Sequence, residues 1–430
     1  MQALPPQFKV GYLLQNGAPD LATVSGPQLH TTAVIQGLRK LGHAVRTVAI
    51  QRYEIGWSDD LSHWSAPSFK SSSAPWFRLP ERAIRRVQSE LRLPFCGIFD
   101  SLRYADACSQ VLHGYDLLYE RHGYMGYGGA ITARRLGIPL ILELNGNILR
   151  EIDEMGVQMS KVQRQIGRWI TIQTLRAAHH VIVVSEALKR ILVSDLKIQA
   201  GKISVLLNGV DVETFARSYN PEIVRKEYDL QSSMTITFVG SFQPWHGVDL
   251  LIAAFKEVVV NFPDSQLVLV GAGSGRESAV KQIDQLDLRG KVRLLGHLEP
   301  AKVAAVLSVS DLAVAPYPFT RDDIVGSPLK MMEYMAAGKA IVASTAPIHE
   351  IVNDGVSGIR VPPADQKALA QGIMRLIRDR ELRCRLASNA AEQGRKYSWA
   401  RVINTLSEIF AYQLSQHSEH SFLTRKFASN

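Results

Sequence analysis

Short apolar runs alternate with amphipathic helical stretches along most of the chain. Residues 10–14 read as a first strand, residues 28–41 repeat their apolar positions at the helical period, and residues 44–50 return to a strand pattern. Runs at 116–119, 139–144, 181–184 and 203–206 continue the series. A second series follows at 236–239, 267–270, 292–295, 312–315 and 340–343, each run followed by glycine, proline or serine and then by a helical pattern. Strands that alternate with helices predict parallel sheets covered by helices. The chain therefore reads as α/β, with two doubly wound, Rossmann-like units in tandem. The expected bounds are 1–217 for the first unit and 218–400 for the second, with the polar stretch 218–233 as the linker. Residues 401–430 are expected to return toward the first unit as a helix that frays, from about residue 411, into a polar tail. An irregular and basic amphipathic insertion is expected at about 51–110, where residues 58–73 are rich in serine and tryptophan.

Composition supports this division. At 430 residues the chain exceeds what one hydrophobic core serves, and an apolar content of 46% can fill two. No run approaches the ~18 apolar residues of a membrane span, and the N-terminus lacks the basic start and long apolar stretch of a secretory signal, so a cytoplasmic protein is expected. The three cysteines, Cys96, Cys108 and Cys384, have neither metal-ligand spacing nor an even count, which fits a reducing compartment.

Charge narrows the partners. The formal net charge of +9 suits nucleic acid, an anionic membrane or small phosphorylated molecules. No nucleic-acid reading motif is present, and no nucleic-acid partner is expected. Seven basic residues against three acidic ones lie between Lys70 and Arg103, interleaved with Trp76, Phe77, Leu79, Ile84 and Val87. That is the composition of a helix resting on anionic lipid, which would place the protein peripherally on the inner face of the cytoplasmic membrane. A helix packed on its own unit is the other reading.

Candidate chemistry concentrates in GSPLKMMEYMAAGKAIVAS, residues 326–344. Ser327 suits an N-cap and Pro328 the first helical position, so a helix is expected to start there with its free amides and positive dipole end outward, which is a phosphate seat. Gly326 permits close approach of backbone to ligand, Lys330 adds a cation, and Glu333 offers a carboxylate to two ribose hydroxyls. The ligand implied is a nucleoside diphosphate; an ordinary capped helix is the alternative. In open parallel sheets, ligands bind beyond the carboxyl ends of strands. Gly26 and His30, Glu143 and Asn145, Gly240 and His246, and the glycines at 271, 273 and 275 all follow expected strands.

VIVVSEALKRIL from Val181, KISVLLNGVDVETF from Lys202, ITFVGSFQPWHGVDLLIAAF from Ile236 and VRLLGHLEPAKVAAVLSVSDLAVAPY from Val292 resemble, in this order, segments of a large family of retaining glycosyltransferases. That family, glycosyltransferase family 4-like, includes bacterial mannosyl- and glucosyltransferases and sucrose synthase. The resemblance runs from the first strand to about Trp399, apart from the insertion. It implies the GT-B fold, with two Rossmann-like units facing across a cleft. It also implies hexosyl transfer from a nucleoside-diphosphate sugar with net retention, without a metal and with no cofactor beyond that co-substrate. By the resemblance Glu333 binds the ribose, the turn of Gly326, Ser327, Pro328 and Leu329 meets the diphosphate, and Gly296 and His297 lie near the base, with uridine expected from its frequency in the family. The Gly26 to His30 segment is similar to the loop that reaches the reacting centre. Lys330, Glu333 and His30 are thus the expected catalytic residues.

Four positions depart from the family pattern. Ser241 and His246 stand where an arginine and a lysine usually clasp the diphosphate, Val325 replaces the first glutamate of a pair, and Asn145 stands where many members carry a histidine near the donor sugar. Two lost charge-assisted bonds, at roughly 1.5 to 3 kcal/mol each, amount to about two to four orders of magnitude in affinity. Lys330, Arg321 and a protonated His246 are the expected compensation, and Asp322 or Asp323 the expected readers of sugar hydroxyls. Glu143 is a candidate base or acceptor contact. The segment 119–147 resembles bacterial members that build cell envelope or exopolysaccharide, which implies a saccharide or lipid-linked acceptor. A nucleotide-sugar epimerase and a catalytically weak nucleotide-sugar-binding accessory protein remain as alternatives.

Overall fold

The computed structural model describes residues 6–15, 21, 25–51, 54–67, 74–90, 98–148, 150, 160–231, 234–318, 327–344 and 351–428. Gly326, Val325, Arg321, Asp322 and Asp323 lie outside the described residues. Two compact units form: Met1–Leu207 with Ile403–Asn430, and Asn208–Val402. The division falls at Leu207/Asn208, ahead of the expected 217/218.

The first unit is built on a seven-stranded sheet in the order β3-β2-β1-β4-β5-β6-β7. Its strands are β1 (Lys9–Leu14), β2 (Ala44–Gln51), β3 (Glu54–Ser58), β4 (Leu117–Arg121), β5 (Leu140–Leu144), β6 (His180–Val183) and β7 (Ile203–Val205). All neighbours pair in parallel except β2 and β3, which run antiparallel with Val48 opposite Trp57. That edge strand lies in the stretch expected to be irregular; its short sequence carries a glycine and only one fully buried side chain, too little alternation to signal a strand. By contrast, every residue of β5 is buried, the continuous apolar run of a strand covered on both faces.

The helices of this unit are α1 (Gly26–Lys40), α2 (Pro75–Glu90), α3 (Ile98–Val111), α4 (Gly128–Leu136), α5 (Lys161–Ala177) and α6 (Glu186–Ser194). Ser25 caps α1 by accepting from the Gln28 amide, and Ser160 and Gln163 form a reciprocal capping box on α5.

The second unit carries a six-stranded parallel sheet in the order β10-β9-β8-β11-β12-β13. These are β8 (Met234–Val239), β9 (Ser265–Val270), β10 (Val292–Gly296), β11 (Leu312–Pro316), β12 (Ala340–Ser344) and β13 (Ile359–Val361). The expected linker contains a helix of its own, α8 (Pro221–Glu227), which follows the short α7 (Val212–Phe215) and is capped by Asn220. The covering helices are α9 (Val248–Asn261), α10 (Arg276–Gln285), α11 (Pro300–Ser308), α12 (Leu329–Ala336), α13 (Gln366–Arg378) and α14 (Arg380–Gly394). Phe238, Phe242, Leu251, Phe255, Leu269 and Val314 are among the side chains of its continuous core.

The last helix, α15 (Trp399–Ala428), stays helical through the stretch where a frayed tail was expected. Its residues from Ile403 onward belong to the first unit. There Phe410 is fully buried and meets Tyr119 edge-on at 5.3 Å, and a Cβ on Gly37 of α1 would stand 2.6 Å from Ile403. At the other end, the Val210 amide donates to the Tyr397 carbonyl at 2.8 Å and the Trp399 amide to the Val210 carbonyl at 3.1 Å, so the second unit closes where it opened. Phe410→Ala should lower the unfolding free energy of the first unit by about 3 to 5 kcal/mol, measured by urea unfolding, because the site loses a buried aromatic ring that neighbours cannot replace.

Candidate functional site

In the second unit, α12 is positioned by its own tyrosine. Tyr334 is fully buried, and its hydroxyl accepts from the Val239 amide at 2.8 Å and donates to the Val314 carbonyl at 3.3 Å, fixing the helix against β8 and β11. The helix starts one residue later than expected. Pro328 is its N-cap and Leu329 its first residue, while Ser327 does not cap it. Instead the Ser327 hydroxyl accepts from the Asn208 amide at 3.1 Å and its carbonyl from the Asn208 side chain at 2.6 Å, bonds that hold the approach to the helix rather than its first turn.

Lys330, on the first turn of α12, is the singular residue of this unit. It is only 7% exposed, and among the described residues its Nζ has no hydrogen-bond partner. It lies 4.4 Å from the ring centre of Phe238 and 5.2 Å from that of Tyr317. Aromatic faces attract a cation, but more weakly than an anion does. Burial therefore pushes the ammonium down to about 7, opposed by the charge of Glu333. Glu333 lies in the next turn of the helix, half-buried, and burial pushes its carboxyl up to about 7, opposed by Lys330. Room for the ammonium depends on Gly240, whose φ of +150° favours glycine and whose Cβ would stand 2.6 Å from Nζ.

His246 departs from its expected state. Its Nδ1 lies 2.6 Å from the Ser241 carbonyl, to which it donates, and 3.0 Å from the Ser241 hydroxyl. Burial and the neighbouring Lys330 push the imidazole down to about 4, so it is neutral near pH 7 in the ligand-free protein, whereas the cationic form was expected beside a diphosphate. Ser241 and His246 thus form a neutral hydrogen-bonded pair beside Lys330. Gly296 ends β10 with φ +70° and accepts from the Gly271 amide at 2.7 Å, while His297 is exposed.

In the first unit the structure joins three residues that the sequence had separated. His30 on α1, Glu143 near the end of β5 and Asn145 just after it form one cluster. His30 Nε2 stands 2.7 Å from Glu143, the Asn145 side-chain amide and the Tyr119 hydroxyl both donate to the same carboxylate, and Arg121 reaches it at 3.4 Å. The strand register explains the Arg121 contact, since Arg121 and Glu143 are partners across β4 and β5 and share a face. Glu143 is 2% exposed; burial pushes its carboxyl up, but His30, Arg121 and Tyr119 outweigh it and bring it down to about 2. Gly26 is the first residue of α1, exposed, one turn ahead of His30.

Two α/β units with parallel sheets, one carrying a buried lysine on a helix that follows a strand, define the GT-B class of sugar-transferring enzymes. Two family models match the chain, "Glycosyltransferase Family 4" over residues 24–214 and "Glycosyl transferases group 1" over residues 233–379. The chain belongs to this glycosyltransferase family. It is 26% identical over 288 residues to alpha-D-kanosaminyltransferase of Streptomyces kanamyceticus, a match spanning 65% of this chain and 72% of that one. It is 31% identical over 251 residues to phosphatidyl-myo-inositol mannosyltransferase of Mycobacterium tuberculosis, spanning 55% and 61%. Among solved structures, Anabaena HepE in complex with UDP superposes with a TM-score of 0.68 at 20% identity, over 94% of this chain and all of that one. Sucrose-phosphate synthase from Thermosynechococcus elongatus gives 0.70 at 17%, over 95% and 100%.

Sequence reasoning missed Tyr119, Arg121, Asn208 and Tyr334 as residues that set the geometry. The alternation of β4 and β5 held a signal for Arg121, whereas Asn208 is joined to Ser327 only by tertiary contact. A sign follows from Glu143. Its carboxyl sits below its ordinary value of 4.5, so its stabilising contribution is full above that pH and is lost as pH falls toward about 2. Between pH 5 and 3 the wild type should lose about 2 kcal/mol more unfolding free energy than Glu143→Gln, read from urea unfolding at the two pH values.

Proposed function

We propose that this glycosyltransferase takes its sugar from a nucleoside diphosphate, uridine diphosphate first among the candidates, and transfers it with retention and without a metal. The observation that carries the donor reading is Lys330, a buried ammonium whose Nζ has no hydrogen-bond partner among the described residues. A diphosphate at the start of α12 supplies an anion and meets the positive end of the helix. Glu333, three residues on, suits the ribose hydroxyls. HepE, whose structure was solved with UDP and with UDP-glucose, supports the same donor class.

The chemistry places growing negative charge on the departing diphosphate while the sugar becomes cation-like. A cation held in a low-dielectric site stabilises that charge more than it stabilises the ground state. Lys330 takes this role. In front-face attack the departing phosphate oxygen accepts the acceptor's proton, and no protein nucleophile is needed. His30, oriented by Glu143, is assigned to the reacting centre, and Asn145 to the neighbourhood of the donor sugar.

The acceptor is read as a saccharide or lipid-linked molecule of cell-envelope or exopolysaccharide synthesis, and the protein as cytoplasmic with peripheral membrane contact. Trp76, Leu79, Ile84 and Val87 are exposed on α2, while Phe77 and Glu81 are buried and Arg78, Arg82 and Arg86 are exposed. This pattern suits a helix lying in an anionic lipid surface. Neutral His246 favours a second reading, a nucleotide-sugar-binding accessory protein that no longer turns over.

UDP and its sugars should raise the thermal midpoint of the wild type more than guanosine or adenosine nucleotides do, and Glu333→Ala should abolish the difference. Tight UDP binding without transfer to any acceptor would favour the accessory reading. UDP affinity should fall by up to about tenfold per unit above pH ~7, as free Lys330 deprotonates. Calorimetry from pH 7 to 9 reads this slope, which Lys330→Met should flatten.

A further inference from the structure

Three helices of the first unit start on a serine that caps them. The hydroxyls of Ser25, Ser160 and Ser185 accept from the amides of Gln28, Gln163 and Leu188, and their carbonyls accept from Leu29, Arg164 and Lys189, four residues on. Ser327, followed by Pro328, has the same local chemistry ahead of α12. Both of its acceptors turn to Asn208 instead, the hydroxyl to the Asn208 amide and the carbonyl to the Asn208 side chain. Met331 accordingly donates only three residues back, to the Pro328 carbonyl at 3.0 Å, and α12 begins without a side-chain cap. We propose that Asn208 is a positioning residue for the nucleoside-diphosphate donor: by holding Ser327 away from α12 it keeps the first-turn amides of that helix open to the diphosphate. The inference rests on the donor reading above.

A capping hydroxyl takes the amide of the second or third helical residue, here Leu329 or Lys330, and satisfies part of the positive end that an anion would meet. A turn already capped must be opened before a phosphate enters, which lowers affinity; a turn held open is preorganised. The charged acceptor also gains more from those amides than a serine does, because a bond to an ionised oxygen is the stronger one.

The side chain of Asn208 bears the mark of such a role. It is 8% exposed, and its Oδ1 has no hydrogen-bond partner among the described residues. A buried amide oxygen left unpaired is costly. Turning the amide over would set Oδ1 against the Ser327 carbonyl, oxygen to oxygen, so the side chain serves only as a donor. Lys330, in the first turn of the same uncapped helix, carries the other unsatisfied group, its buried Nζ. Unsatisfied polar atoms of this kind are retained where function requires them.

Asn208 is itself held from behind. Gly209 presses on Trp399, where a Cβ would stand 2.5 Å from the indole ring, and Val210 exchanges backbone bonds with Tyr397 and Trp399. The short α7 that follows packs against α12. Ser327 is therefore clasped by a fixed segment rather than by a free loop.

The test combines two substitutions and two readouts on the full chain. Asn208→Ala should weaken UDP binding about tenfold by calorimetry, a difference of about 1.4 kcal/mol. Adding Ser327→Ala to that variant should strengthen UDP binding at least about threefold, whereas Ser327→Ala in wild type should give no gain, a reversal that an asparagine merely bracing the fold would not produce. In the ligand-free protein, amide hydrogen exchange at Leu329 and Lys330 should slow in Asn208→Ala, as Ser327 caps the helix, and should return to the wild-type rate when Ser327→Ala is added. Where Asn208→Ala fails to fold, Asn208→Asp replaces it, keeping the size without the donor. Its added charge is present with and without Ser327→Ala and leaves that comparison intact. A second substitution that only deepens the loss of UDP binding, or exchange that is the same in wild type and Asn208→Ala, would overturn the proposal. Wild type that binds no UDP, with exchange responding as expected, would remove the donor reading and leave the hold of Asn208 on the helix start in place.

Discussion

An ammonium group buried against two aromatic rings, with no hydrogen-bond partner among the described residues, governs the chemistry of the second unit. Lys330 has left water for the faces of Phe238 and Tyr317, and the charge of Glu333 offsets that burial only in part, so its proton is held loosely. Other features of the unit are arranged around that imbalance. Gly240 leaves space for Nζ, Tyr334 fixes the helix, Glu333 is drawn toward neutrality by the same burial, and His246 is pushed toward its neutral form by burial first and by the charge of Lys330 second. A site organised in this way favours a ligand that carries negative charge into it, and favours it more as that charge grows.

The first unit solves the opposite problem. Glu143 is a buried carboxylate, and His30, Asn145, Tyr119 and Arg121 converge on it from a helix, a loop and the adjacent strand β4. A satisfied network of this kind rigidifies what it touches. His30 and Asn145 are thereby held by one group, whereas Lys330 is left waiting for a partner. One unit presents a preorganised polar surface and the other an unmet charge.

Much of this was legible in the sequence, for identifiable reasons. Parallel strands buried on both faces announce themselves as continuous apolar runs, and nearly every expected strand from 10–14 to 340–343 corresponds to an observed one. Strands β3 and β13 escaped because they are short and half-exposed at sheet edges. The helix bearing Lys330 and Glu333 was readable from its residues, but its cap was not. Serine before proline suits an N-cap by local preference, and the competing demand came from Asn208, well over a hundred residues away. The ligand-free state of His246 was not legible for a related cause. Its charge depends on how deeply it is buried and on which cation it meets, and neither is written in the local run of residues.

Connectivity imposes an order in time. The second unit is an insertion, since Asn208 and Val402 bound it and its ends are hydrogen-bonded through Val210, Tyr397 and Trp399. The first unit is split, and its closing piece, from Ile403 onward, is made only after the inserted unit. During synthesis the inserted unit is therefore complete before the unit that precedes it, although domains generally fold in the order in which they emerge. Until α15 leaves the ribosome, the surface that Phe410 and Ile403 will cover, including Tyr119 and the flank of α1, stays open. A nascent chain holds that hydrophobic face open throughout the synthesis of the inserted unit, until α15 arrives to cover it, which makes the face a natural ligand for a chaperone.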